Sequence, residues 1–190
     1  MDILKISVPI IVNCKFQLVE LNKSEFISPN TVEGKEMTTS EKLRVLTNIA
    51  KKLNENNIKW GVGASLLLYF KGITDTFQDI DIMVTAEDVD RLRITLSEMG
   101  KIQPSNPNKM YRTRHFYEFV IDGVDVDVME GFVIVKDGLE YDCSFTSDSI
   151  YEYINISGEN IPLQSVSDWR RFYELMGREA KVEMIDRALD

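Results

Sequence analysis

Two aspartates alternate with large aliphatic residues in Gln78-Asp-Ile-Asp-Ile-Met-Val84, and Val124-Asp-Val-Asp-Val128 repeats the pattern further along the chain. Successive side chains of a β-strand point to opposite faces, so Asp79 and Asp81 share one surface while Ile80, Ile82 and Val84 enter a core. Aspartate is disfavoured inside strands. Four of them at alternating positions of two otherwise apolar strands lower stability unless something recruits them. If the two strands lie side by side, Asp125 or Asp127 adds a third carboxylate to the patch. Like charges at that separation call for a cation, and hard carboxylate oxygens suit Mg²⁺ or Mn²⁺. A solvated acidic face is the plainer reading of one such strand; two in register favour metal.

With 190 residues, 44% of them hydrophobic, the chain is long enough to bury a sizeable core. A net charge of −9 argues against bulk nucleic-acid binding, which relies on clustered Lys and Arg. Cys14 and Cys143 are too few and too far apart for a disulfide framework or a zinc site, and they fit a reducing compartment. No apolar run approaches the roughly 20 residues that cross a bilayer, and Ile6–Val12 is too short and wrongly flanked for a signal peptide. A cytoplasmic protein without membrane contact is expected.

Along the chain, residues 1–38 read as two short strands, Ile6 to Val12 and Phe16 to Leu21, and a polar loop from Asn22 to Glu36. Thr39 or Ser40 is expected to cap a helix whose apolar positions Leu43, Leu46, Ile49, Ala50 and Leu53 keep the 3.6-residue period. A strand Ile58–Trp60, the turn Gly61-Val-Gly-Ala-Ser65 and a short helix ended by Gly72 lead into the acidic strand. Thr85 is the expected cap of a helix from Ala86 to Met99. After a loop over Pro104 to Asn108, the runs Arg114–Ile121 and Val124–Met129 flank Asp122-Gly123, a hairpin signal, and Phe132–Val135 with Leu139–Tyr141 continue the meander. The tail reads as a strand at Tyr151–Ile156, a turn at Ser157-Gly158, and helices Ser167–Met176 and Arg178–Leu189 divided by Gly177. The expectation is a mixed α/β chain with a partly antiparallel sheet flanked by helices. Its parts are an N-terminal segment 1–38, a core 39–145 and a C-terminal strand-and-helix segment 146–190.

Gly61 and Gly63 could simply give a tight strand-to-helix connection its backbone freedom. Their position suggests more, because N–H groups at a helix start suit a phosphate oxygen and Ser65 adds a hydroxyl. The dinucleotide-binding fingerprint is excluded, since Leu66 stands where its third glycine belongs.

Gly63-Ala-Ser65, a short helix, Asp79-Ile-Asp81-Ile and a later carboxylate strand resemble the nucleotidyltransferase superfamily of the polymerase-beta type, which includes the lincosamide and aminoglycoside nucleotidyltransferases. The resemblance runs over residues 40 to 136, with Ala64 where the family has Gly or Ser. It implies that Asp79, Asp81 and Asp127 bind divalent metal and carry catalysis, with Asp125 competing for the third place, and that Gly63 and Ser65 contact a nucleoside triphosphate. The implied activity is Mg²⁺-dependent transfer of a nucleoside monophosphate, from ATP first of all, to a hydroxyl of a small molecule or protein. A non-catalytic nucleotide- or partner-binding module on the same fold is the alternative.

Arg112, Arg114, Arg178 and Lys181 are candidates to neutralise phosphate, against the plainer reading of solvated surface cations. His115, the single histidine, reads more readily as a strand side chain than as a catalyst. Trp60, Tyr69, Tyr111 and Tyr117 could stack on a base, although packing is the commoner use of such residues.

Overall fold

The computed structural model describes residues 6–12, 15–21, 37–104 and 110–189. Strands β1 (Ile6–Val12) and β2 (Lys15–Leu21) form an antiparallel hairpin outside the main sheet. The predicted loop Asn22–Glu36 and most of the loop after Pro104 lie outside the described residues.

Helix α1 (Thr39–Glu55) is capped by Thr38, one residue before the predicted Thr39 or Ser40, because Thr38 and Glu41 form a reciprocal capping box: Glu41 accepts from the Thr38 N–H at 2.7 Å. Its face of Val45, Leu46, Ile49, Ala50 and Leu53 is buried. Strand β3 (Trp60–Val62) takes in Gly61, which the sequence placed in the turn. Gly63 precedes helix α2 (Ala64–Phe70), and Gly72 ends it at φ 67°. Strand β4 (Ile80–Val84) begins just after Asp79.

Helix α3 (Val89–Ser97) starts three residues later than the predicted Ala86, and Thr85 does not cap it. The Asp88 carboxylate instead accepts the Lys59 N–H at 2.7 Å and pairs with Arg91, tying the helix start to the approach to β3. Strand β5 (Lys101–Ile102) joins β6 (His115–Ile121), which turns at Asp122-Gly123 into β7 (Val124–Glu130). Asp122 at φ 50° and Gly123 at φ 82° give the two positive-φ residues of a two-residue hairpin. Asp137-Gly138 repeats this between β8 (Val133–Lys136) and β9 (Leu139–Asp142), and Ser157-Gly158 between β10 (Ile150–Ile156) and β11 (Glu159–Gln164).

Strand β11 was not anticipated. Pro162, which cannot donate to a ladder, hides the pattern, yet Ile161 to Gln164 are all buried and Leu163 pairs in parallel with Val62. Helices α4 (Val166–Leu175), capped by Ser165, and α5 (Glu179–Leu189) complete the chain, parted by Gly177 at φ 69°.

The main sheet has seven strands in the order β10-β11-β3-β4-β7-β6-β5. Two of its pairings are parallel, β11 with β3 and β4 with β7, and the others are antiparallel, so the sheet is mixed. Ile80, Ile82, Val126 and Val128 are fully buried on one face. Helices α1 and α3 touch each other, β11 and β6; α2 packs on β4 and α4, and α4 on β8 and α5.

Candidate active site

Asp81 on β4 and Asp127 on β7 are direct register partners in a parallel pair, so their side chains stand next to each other on one face. Asp79 joins them from just before β4, and carboxylate oxygens of the three lie within 4.8 Å of one another. Asp125 shares the face but is exposed, and it is not part of that cluster.

Burial raises Asp81 well above the usual carboxylate range, Asp79 and Asp127 add to this, and Arg178 pulls the other way. Burial also pushes Asp127 up to about 7, helped by the charges of Asp79, Glu118 and Asp125. Among the described residues no cation forms an ion pair with any of the three. A divalent cation fits this donor set, because hard oxygens crowded at low polarity bind it in preference to protons.

Around the carboxylates lies a cavity of about 1060 Å³. One wall comes from the first turn of α2, where the Ser65 hydroxyl is buried and has no hydrogen-bond partner among the described residues. Buried hydroxyls are normally satisfied, which sets this one apart among the residues of that wall. Gly63 contributes space rather than a donor: its N–H already donates to the Asp81 carbonyl at 3.2 Å, and a Cβ on it would lie 2.2 Å from the Trp169 ring. Ala64 occupies φ 48°, a left-handed conformation that costs a non-glycine residue about 1–2 kcal/mol. Ala64→Gly is therefore expected to stabilise the fold by roughly 0.5–1 kcal/mol after glycine's greater chain entropy is counted, read as an upward shift of the urea midpoint.

Helix α4, the link 176–178 and the start of α5 bring Trp169, Tyr173, Met176, Arg178 and Lys181 to the cavity. Trp169 is anchored by its Nε1–H to the buried Gln164 Oε1 at 2.9 Å, and its ring lies 6.5 Å from Phe132 and 5.6 Å from Tyr173. Burial, then Asp81, holds the Tyr173 phenol protonated far above its ordinary range. Arg178 lies 5.9 Å over the Tyr173 ring. From β6 come Glu118, the register partner of Asp127, and His115.

Of the other candidates, Arg114, Tyr111 and Tyr117 line the cavity, and Tyr111 donates its hydroxyl to Met176 Sδ at 3.1 Å. Arg112 pairs with Glu140 at 2.6 Å and does not line the cavity. Trp60 is 1% exposed and donates to Asn54, and Tyr69 packs on Phe70 and Phe77, so both serve the core. Cys143 is buried, and its thiol is pushed up to about 11 mainly by that burial, which leaves it inert. Glu118, Glu130 and Gln164 were not singled out by the sequence. A two-residue turn at Asp122-Gly123 alone would have placed Glu118 opposite Asp127.

A mixed sheet presenting carboxylates from two parallel neighbours, with a glycine turn and helix on one flank, is the architecture of a nucleotidyltransferase. Residues 45–188 match the family model described as aminoglycoside-2''-adenylyltransferase, and the chain belongs to that family, which makes it a transferase. A proposed nucleotidyltransferase from Thermotoga maritima superposes with a TM-score of 0.62 at 27% identity, over 81% of this chain and 96% of that one. The antibiotic-resistance factor ANT(2'')-Ia shares the fold in its solution structure at TM-score 0.58 and 13% identity, covering 80% of this chain and 86% of that chain. Its crystal structure in complex with adenylyl-2''-tobramycin gives 0.53 and 12%, covering 80% and 91%. No curated protein sequence matches the chain. No described helix is long and apolar enough to cross a membrane.

Proposed function

We propose that the chain transfers a nucleoside monophosphate, from ATP in the first instance, to a hydroxyl of a small-molecule acceptor, with Asp79, Asp81 and Asp127 holding Mg²⁺. The observation that carries this reading is the register pairing of Asp81 with Asp127 beside Asp79, three mutually close carboxylates that form no ion pair among the described residues. When bound, the metal supplies charge neutralisation at the phosphates and lowers the barrier to pyrophosphate departure. The protein does the rest. Ser65 offers its unpaired hydroxyl to a phosphate oxygen, and Arg178 and Lys181 face the same cavity as counter-charges for the triphosphate. Asp127, the carboxylate facing Glu118 across the sheet, accepts the proton of the attacking hydroxyl. The acceptor oxygen bonds to the α-phosphorus, the bond from that phosphorus to the bridging oxygen breaks, and pyrophosphate leaves with the electron pair. An aminoglycoside is the first acceptor to try, since ANT(2'')-Ia is an antibiotic-resistance factor solved with an adenylylated tobramycin.

The test is calorimetric titration of the protein with ATP, GTP, CTP and UTP, with and without Mg²⁺, followed by pyrophosphate release on adding tobramycin. Mg²⁺-dependent binding of one triphosphate supports the reading. Absence of binding to all four overturns it and leaves the partner-binding module.

The raised carboxylates give this reading a pH signature. The fold holds the Asp127 proton up to about pH 7, whereas the unfolded chain releases it near the ordinary value of about 3.9. The folded state thus binds the extra proton in that window, and the metal-free protein loses stability as pH rises from about 4 to about 7. Mg²⁺ replaces the proton. Adding it is expected to raise the melting temperature markedly at pH 8 and scarcely at pH 5, measured by differential scanning fluorimetry.

A further inference from the structure

We propose that His115, oriented by the buried carboxylate of Glu130, binds the acceptor substrate at the end of the cavity away from the triphosphate. The inference rests on the nucleotidyl-transfer reading. Glu130 is one of the few charged residues the fold buries, at 3% exposure, and it lies outside the metal cluster. Burying a carboxylate costs several kcal/mol unless its oxygens are satisfied. Both are: Oε1 accepts from Arg114 Nη1 at 3.2 Å and Oε2 bonds His115 Nδ1 at 2.8 Å. The two partners are themselves largely open, with 65% and 41% of their side chains exposed, and both line the cavity. A surface ion pair for Arg114 would need no buried carboxylate. What the buried one supplies is a fixed imidazole.

Glu130 Oε2 lies on Nδ1, so Nδ1 is committed to the carboxylate and Nε2 is the ring nitrogen left for a ligand. Tyr117, its ring 6.0 Å away and nearly parallel, supports the same orientation. His115 therefore presents a fixed Nε2, suited to a hydroxyl, which can donate to it or accept from it.

Its place in the sheet assigns it to the acceptor. The order β3-β4-β7-β6 puts Ser65, just after β3, on one flank of the carboxylates and β6 on the other. In-line displacement needs the nucleophile and the departing pyrophosphate on opposite sides of the α-phosphorus. With pyrophosphate toward Ser65, the acceptor enters over β6. Glu118, opposite Asp127, is the near part of that wall. His115 and Glu130 stand three residues further along, on the other face by strand parity, where β6 begins and β5 no longer flanks it. Residues from both faces of β6 at that end, His115 and Tyr117 on one and Phe116 and Glu118 on the other, line the cavity. His115 thus meets a part of the acceptor remote from the reacting hydroxyl, and Glu130 is its positioning residue.

Because His115 is the sole histidine, the ¹⁵N NMR signals of its ring can be followed without assignment. Wild type is expected to show the Nδ1–H tautomer, Glu130→Gln a mixed population, and the Nε2 signal to move on adding tobramycin but not Mg·ATP. In steady-state transfer to tobramycin, His115→Ala and Glu130→Gln are expected to raise the KM for tobramycin about five- to tenfold, the size of one lost hydrogen bond. The KM for ATP and kcat should stay within twofold. Since Glu130→Gln can weaken folding, His115→Ala, an exposed-site change, carries the same kinetic prediction independently. An Nε2 signal that answers Mg·ATP, or unchanged tobramycin KM in His115→Ala, overturns the assignment. So does a protein that binds Mg·ATP while its Nε2 ignores tobramycin. Loss of Mg·ATP binding in wild type would instead overturn the nucleotidyl-transfer reading beneath it.

Discussion

Asp81→Asn is expected to make the metal-free protein more stable and the enzyme nearly dead. Asp81 is raised well above the carboxylate range first by burial and then by Asp79 and Asp127, so at pH 8 its ionised form is held against a penalty. An amide of the same shape removes the charge and lowers the repulsion on Asp127. A gain of roughly 1–2 kcal/mol is expected at pH 8, or about 2–8 °C in melting temperature for a chain of this size. The gain should shrink as pH falls below about 7, where Asp127 takes up its proton and the repulsion eases. Nucleotidyl transfer is expected to fall at least a thousandfold, roughly the loss seen when one electrostatic partner of a transition state is removed. The two effects belong together: Mg²⁺ should no longer raise the melting temperature of the variant. Asp125→Asn is the control. It lies on the same face but is exposed and outside the cluster, so its turnover should stay within about twofold of wild type, as for a surface substitution. Stabilisation of Asp81→Asn with full activity would mean that the carboxylates serve no chemistry.

Much of this site was legible because its physics is local. The two-residue period put Asp79 and Asp81 on one face, and the Asp122-Gly123 turn fixed the β6–β7 register. What stayed hidden depends on long-range pairing. Nothing near Asp127 in sequence says that β7 lies parallel to β4, and only that pairing separates Asp127 from Asp125. Strand β11 was lost to Pro162, and with it the buried Gln164 that fixes Trp169. The start of α3 was misplaced because Asp88, a reasonable first-turn acid by sequence, is spent on the Lys59 amide from another element. Glu130 could be read as one more polar strand end until its burial was known.

Gly63 has a packing role that its sequence neighbours do not disclose. The sequence placed it against phosphate, whereas its vacant side faces the Trp169 ring, with Cζ2, Cε2 and Nε1 at 2.2, 2.4 and 2.5 Å from any added Cβ. Trp169 is 2% exposed, and its Nε1–H is committed to Gln164, so it cannot swing aside without leaving a buried amide oxygen unpaired. Gly63→Ala is therefore expected to destabilise the fold by about 2–4 kcal/mol, overpacking combined with a broken buried hydrogen bond. The melting temperature should drop, and emission from Trp169 should shift to the red as its packing loosens. Trp169→Phe on top of Gly63→Ala removes the indole edge that collides. The double variant should be more stable than the sum of the two single losses predicts, by about 1 kcal/mol or more. If Gly63 served only to admit a phosphate, Gly63→Ala would leave the melting temperature unchanged and raise the KM for ATP alone. If it serves Trp169, stability falls first. Ser65 and the Asp81 carbonyl, which the Gly63 N–H holds at 3.2 Å, then lose their placement together, so the glycine acts on nucleotide binding through the packing of α4 on the turn.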